Sequence, residues 1–245
     1  MKKLLLAGTA FIAFAGAAQA ADLGVARAPV AAVIGAPVFN WSGVFVGGQI
    51  GYQWGTTQAR FFNGAGVFVP GSSANYTTNG LVGGVHLGYN VQFNSLVVGI
   101  VTDIEASGVN GTFNFINGDQ YRTRQNWQGS LRGRFGFAAD RAHFYVTGGL
   151  AYSDIQHSIL NFGTGTRVSA GGGRAGWTVG AGMEYAFTPN WVASLEYRYT
   201  DYGTRSYSAV PAFVGTVSQK TSFHTVRLGV SYLFSTGPSA VVARY

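Results

Sequence analysis

Eight ionisable side chains carry the chemistry this sequence offers. Asp103, Glu105, Glu184 and Glu196 are acidic; Arg132, Arg134, Arg198 and Arg227 are basic. Each lies in a stretch where polar and apolar residues alternate, so each falls on the polar parity of a strand. In "SLRGRFGFA" (130–138), for example, Arg132 and Arg134 share one face while Leu131, Phe135 and Phe137 share the other. Four carboxylates against four guanidiniums make a balanced set. A wet surface has no need of that balance. A narrow, low-dielectric interior does, because an unpaired buried ion costs several kcal/mol. The implied chemistry is structural: Arg–carboxylate pairing inside a lumen.

Other chemistries are weaker. The histidines are His86, His143, His157 and His224, and no two stand at metal-ligand spacing. His86 sits on the polar parity and reads as a hydrogen-bonded interior residue. His157 lies in a long connection with Asp154 and Ser158, but adjacency in sequence does not make a Ser-His-acid triad. A lone His157 or His224 is no haem pocket. The glycine-rich run 163–176 lacks the Gly-Lys-Ser/Thr ending of a phosphate loop. Cysteine is absent, which excludes disulfides and Cys-based zinc sites. No catalytic, cofactor-binding or metal-binding residue is expected. The net charge is +7, but the cations are spread out, so nucleic acid is not an expected partner.

Eight alternating segments must position these residues: 41–55, 80–91, 96–106, 126–137, 143–152, 176–187, 191–200 and 225–234. The connections 92–95, 138–142 and 188–190 are short, whereas 56–79, 107–123, 153–173 and 201–222 are long. Short turns at one end and long loops at the other are the pattern of outer-membrane barrels. Only 10% of residues are charged, against about 25% in an ordinary soluble domain. The aromatics Trp54, Tyr89, Trp127, Tyr152, Trp177, Phe187, Trp191, Tyr199 and Phe234 fall near segment ends on the apolar parity, where a lipid–water boundary favours them. The expected fold is all-β: an eight-stranded antiparallel transmembrane β-barrel with short periplasmic turns and long external loops. A soluble eight-stranded barrel with its charges outside is the alternative.

The ends divide as follows. Residues 1–20, basic and then apolar up to Ala18-Gln19-Ala20, read as a cleaved signal peptide. Residues 21–39 read as a periplasmic N-terminal linker, 40–234 as the barrel, and 235–245 as a C-terminal tail. The apolar pieces 60–70 and 209–217 read as strand extensions beyond the bilayer, or else as contact surface.

Three stretches carry a resemblance: "FNWSGVFVGGQIGYQWG", "SLRGRFGFAADRAHFYVTGGLAYSD" and "WVASLEYRYTDYG…TVRLGVSYLF". The chain resembles alphaproteobacterial small outer-membrane proteins of the Omp25/Omp31 (RopB-like, porin family) type over nearly its whole mature length. That resemblance implies a barrel in the outer membrane of a Gram-negative bacterium. Envelope integrity and host-surface contact are roles in that family, with haem binding or pore activity in some members, and it brings no catalytic residues. It also implies that Val226, Leu228, Val230, Tyr232 and Phe234 form the assembly signal read by the barrel-assembly machinery. This chain departs from the pattern by continuing past Phe234 with "STGPSAVVARY", so that either the tail is a periplasmic extension or assembly reads the terminal "VVARY". The expected function is a structural, surface-exposed barrel, its lumen plugged by Arg–carboxylate pairs. Its partners would be outer-membrane lipid, lipopolysaccharide and a host or envelope surface partner. A porin-like channel for small solutes, a surface receptor or haem binder, and an outer-membrane hydrolase are the other readings.

Overall fold

The computed structural model describes residues 39–115, 118–208 and 214–235. Residues 1–38, expected above to be a signal peptide and linker, and the expected tail beyond Ser235 lie outside the described residues. Nine strands are present: β1 Gly43–Asn63, β2 Phe68–Phe93, β3 Leu96–Ser107, β4 Asn110–Asn114, β5 Gln120–Ala139, β6 Ala142–Leu160, β7 Arg167–Ala186, β8 Trp191–Ser208 and β9 Gly215–Ser235. Strands β3 and β4 occupy one position in the wall, since both lie between β2 and β5 and are interrupted only at Gly108 and Val109. The last strand pairs with the first, Val44 opposite Phe234 and Tyr52 opposite Val226, so the sheet closes as a ring of eight antiparallel positions. Closure leaves no edge at the height of this ladder.

The short turns are built on local chemistry. Asn94 turns β2 into β3 and Asp140 turns β5 into β6, both at positive φ (55° and 50°), a conformation that short polar side chains tolerate. At the other end, the segments expected as long loops continue the hydrogen-bonded ladder. Strands there reach 21 residues in β1 and 26 in β2, about twice the length that crosses a bilayer.

The outward face changes along each strand. In β1 it reads Val44, Val46, Ile50, Tyr52 and Trp54, then Thr56, Gln58 and Arg60. In β5, ascending, it reads Phe137, Phe135, Leu131 and Trp127, then Arg124 and Arg122. The apolar part defines the membrane-spanning segments, about 44–54, 81–91, 96–106, 127–137, 142–152, 177–187, 191–199 and 224–234. Leu131 is 46% exposed and Arg132 only 2%, which settles which face of that strand looks inward.

The short-turn end is closed from below. Trp41, expected to start the first strand, precedes it instead and is 1% exposed. Its indole Nε1–H donates to the Asp140 carbonyl at 3.0 Å and its amide to Gln92 Oε1 at 2.7 Å. It packs with Phe45, Val97, Val101, Val192 and Leu233, and Phe39 lies against that cluster.

Candidate functional site

The interior at membrane height holds three guanidiniums and three carboxylates in mutual contact. Arg132 reaches Asp103 Oδ2 at 2.8 Å and Glu196 Oε1 at 2.7 Å. Arg198 reaches Asp103 Oδ1 at 3.2 Å and Glu105 Oε2 at 2.8 Å. Arg227 reaches Glu105 Oε1 at 2.8 Å and bonds Glu196 Oε1 as well. Arg227 also lies 3.5 Å from Asp103 Oδ2, so every member has at least two opposite partners, the condition under which buried ions are tolerated. Neutral donors fill the remaining lone pairs: Gln49 and Gln128 on Glu105, at 2.6 and 2.7 Å, and Ser130 on Asp103 at 2.6 Å.

The other two expected charges form a separate group nearer the short-turn end. Arg134 Nη2 lies 2.8 Å from Glu184 Oε1, and His143 Nδ1 lies 2.9 Å from Glu184 Oε2. The Arg134 guanidinium also sits 4.2 Å from the Tyr145 ring centre and 5.0 Å from that of Phe45. Tyr145 links the groups by donating its hydroxyl to Glu196 Oε2 at 3.1 Å. The split arises because Arg134 and Glu184 sit lower on β5 and β7, level with Thr147 and His143 of β6.

Glycines make room for this. Each of the four arginines stands opposite a glycine on a neighbouring strand: Gly149 for Arg132, Gly99 for Arg134, Gly180 for Arg198 and Gly51 for Arg227. A Cβ on Gly51 would meet Arg227 Cγ at 3.0 Å, and one on Gly149 would meet Arg132 Cα at 2.7 Å. Between the two groups a cavity of about 20 Å³, lined by Arg132, Arg134, Glu184 and Glu196, has space for about one water.

Beyond the apolar band the interior has another character. Ala59, Tyr76, Tyr121, Ile159 and Val217 are buried there together, with Phe113, Phe115, Val168 and Tyr207 packed around them. His157, expected in a loop, is an inward strand residue instead. Its ring stacks between Tyr121 and Tyr207, centroids 6.0 and 5.7 Å away. Burial and the adjacent Arg174 cation push its pKa down to about 3, so the imidazole is neutral. Its Nε2 accepts from Arg174 at 3.2 Å and its Nδ1–H donates to Thr123 at 2.9 Å.

The remaining histidines are engaged too. His86 contacts Gln49 Oε1 at 2.9 Å and Ser231 Oγ at 2.7 Å inside the lumen. His224 faces outward in the aromatic girdle, 2.7 Å from the Tyr197 hydroxyl. Asp154 and Ser158 point to the opposite face from His157, as strand alternation requires, so those three residues do not converge. Among the described residues no cluster of His, Cys, Asp or Glu could hold a metal. Sequence reasoning did not single out His143, Tyr145 or Trp41. The alternation with Phe144 and Val146 already placed the first two on the inner parity.

A closed antiparallel ring whose middle is apolar outside and ionic inside defines a membrane-spanning β-barrel. The family described as "Outer membrane protein beta-barrel domain" matches residues 7–234. The chain is 37% identical over 247 residues to the 31 kDa outer-membrane immunogenic protein of Brucella melitensis, covering 96% of this chain and 100% of that protein. It is 31% identical to the 25 kDa outer-membrane immunogenic protein of Brucella abortus, covering 96% and 99%. Among solved structures it is similar to the outer membrane protein OprG of Pseudomonas aeruginosa, at 12% identity and a TM-score of 0.48, covering 82% and 99%. The chain belongs to the family of outer-membrane β-barrel proteins and, within it, to the Omp25/Omp31 type. Its place is the Gram-negative outer membrane, with the short turns on the periplasmic side.

Proposed function

We propose that this protein is a structural, surface-exposed component of the outer membrane, without catalytic activity, whose lumen is plugged by its Arg–carboxylate pairs. The observation that carries this reading is the reciprocal pairing of Arg132, Arg198 and Arg227 with Asp103, Glu105 and Glu196, every one of them under 9% exposed. Such a network holds opposite walls together and leaves solutes no continuous polar path at that height. The outward cations Arg60, Arg122, Arg124 and Lys220 stand just above the apolar band, where phosphates of lipopolysaccharide would meet them. The strand extensions above them supply the area for a host or envelope partner. The outward alternation of Val226, Leu228, Val230 and Phe234 on β9 suits a terminal signal for the barrel-assembly machinery.

Conductance in planar bilayers tests the plug. The parent should pass little current, and Arg132→Ala or Glu196→Ala should raise it. A parent that conducts steadily, with neither substitution changing the current, would replace this reading with a porin-like channel.

A further inference from the structure

The four lumen arginines at membrane height all have carboxylate partners. Arg174 and Arg205, further out along the barrel, do not. Arg174 on β7 is buried, 5% exposed, and among the described residues it forms no ion pair. Its Nη2 contacts only neutral groups, His157 Nε2 at 3.2 Å and Gln219 Oε1 at 3.4 Å, and its Nη1 has no hydrogen-bond partner. Gln219 on β9 is fully buried, and its Nε2 is likewise without a partner. Arg205 on β8, exposed, donates to the carbonyl of Gly173, the neighbour of Arg174, at 3.1 Å, and forms no ion pair among the described residues. Two cations and a free amide donor therefore gather with no anion to balance them among the described residues. Burying such a cation costs several kcal/mol unless something negative joins it.

The wall opens at this place. Pairing of β7 with β8 stops at Trp177 opposite Asp201. Beyond it, β7 from Arg167 to Gly176 pairs with β6 alone, and β8 from Thr204 to Ser208 with β9 alone. The cause is local: Asp201 Oδ1 accepts the Gly203 amide at 2.6 Å, Gly203 takes φ +66°, and the register slips between Asp201 and Thr204. No ladder pairing therefore closes the wall between Arg167–Gly176 of β7 and Thr204–Ser208 of β8.

We propose that Arg174, Arg205 and Gln219 form a binding site for a phosphate-class oxyanion, reached through the gap between β7 and β8. Guanidinium forks match phosphate oxygens in pairs, and two forks with an amide suit a tetrahedral oxyanion better than a carboxylate, which one fork would satisfy. The phosphate is either soluble or the headgroup of an outer-leaflet lipid.

The test uses the full chain in zwitterionic nanodiscs, titrated calorimetrically with inorganic phosphate at constant ionic strength. Saturable binding is expected, weakened about tenfold or more by Arg174→Gln and by Gln219→Glu, and by no more than about twofold by Arg60→Gln on the outer wall. Gln219→Glu is the decisive variant: it gives Arg174 an internal carboxylate, so it favours folding while it fills the site. Absence of saturable binding, unchanged binding in Gln219→Glu, or equal loss in Arg60→Gln would overturn the proposal. Nanodiscs containing phosphatidylglycerol separate the two sources. Undiminished phosphate binding there supports a soluble anion, and competition supports a lipid headgroup.

Discussion

The barrel is two cylinders built from the same strands. At membrane height the outside is Val, Ile, Leu and Phe, and the inside is Arg, Asp, Glu and Gln. Beyond the girdle of Trp54, Trp127 and Trp177 the outside is Thr, Gln, Asn and Arg, and the inside is Ala, Ile, Tyr and Phe around the buried polar Thr123, His157, Arg174 and Gln219. In β1, Gln49 and Gln53 face inward below the girdle, and Ala59 faces inward above it. In β6, His143 and Thr147 give way to Ile155 and Ile159 on the inner face. The parity never changes along these strands; only the polarity assigned to it does. What lies outside the wall, hydrocarbon or water, therefore decides what must lie within. The lower cylinder coheres through matched charge, because its apolar side chains are already satisfied by lipid. The upper one coheres through apolar burial, as a soluble barrel does.

The largest expected effect falls on the lower cylinder. Glu105 receives Arg198, Arg227, Gln49 and Gln128, so Glu105→Ala takes one carboxylate from two buried guanidiniums at once and leaves three cations facing two anions. We expect a loss of about 3–5 kcal/mol, read from urea unfolding followed by heat-modifiable gel migration. A loss under about 1 kcal/mol would mean that the charges are solvated and that the contrast between the cylinders is false.

A second pair of substitutions reads the outer faces. Leu131→Arg places a cation against mid-membrane hydrocarbon and should cost about 2–4 kcal/mol in lipid. Asn75→Arg, outward on β2 above the girdle, should stay within about 0.5 kcal/mol. Equal costs would move the membrane boundary away from the aromatic girdle.

Much of the lower cylinder was legible in the sequence. Strand parity is a local property, so Arg132 inside and Leu131 outside follow once the surroundings are lipid. Balance among eight charges pointed to pairing. The partners themselves were not legible, because Arg132 with Glu196 and Arg198 with Asp103 meet across the lumen, at a separation that registers alone decide. The upper cylinder was harder to see. Its polarity inverts, so a rule that assigns apolar residues outward fails there, and 153–160 read as loop although they continue β6. Trp41 was hidden for a different reason: one aromatic before a strand looks like its first residue, and only the closed ring shows an open end for it to fill.

The smallest expected loss among the interior substitutions tests whether the two cylinders melt together. Tyr121 joins the walls of the upper one, its hydroxyl bonded to Tyr207 and lying 3.3 Å from Gln219 Oε1. Tyr121→Phe keeps the ring and removes those bonds, which should cost about 1 kcal/mol. The β7–β8 ladder is already interrupted at that height, so little ties the upper walls to the lower network on that side. The loss should therefore appear locally, as about fivefold faster amide exchange in 167–176 and 204–208, with exchange around Arg132 unchanged. If amides at both heights speed up together, the strands transmit the loss along their whole length. The two interiors would then be one cooperative unit, and the difference between them would be a matter of composition rather than of stability.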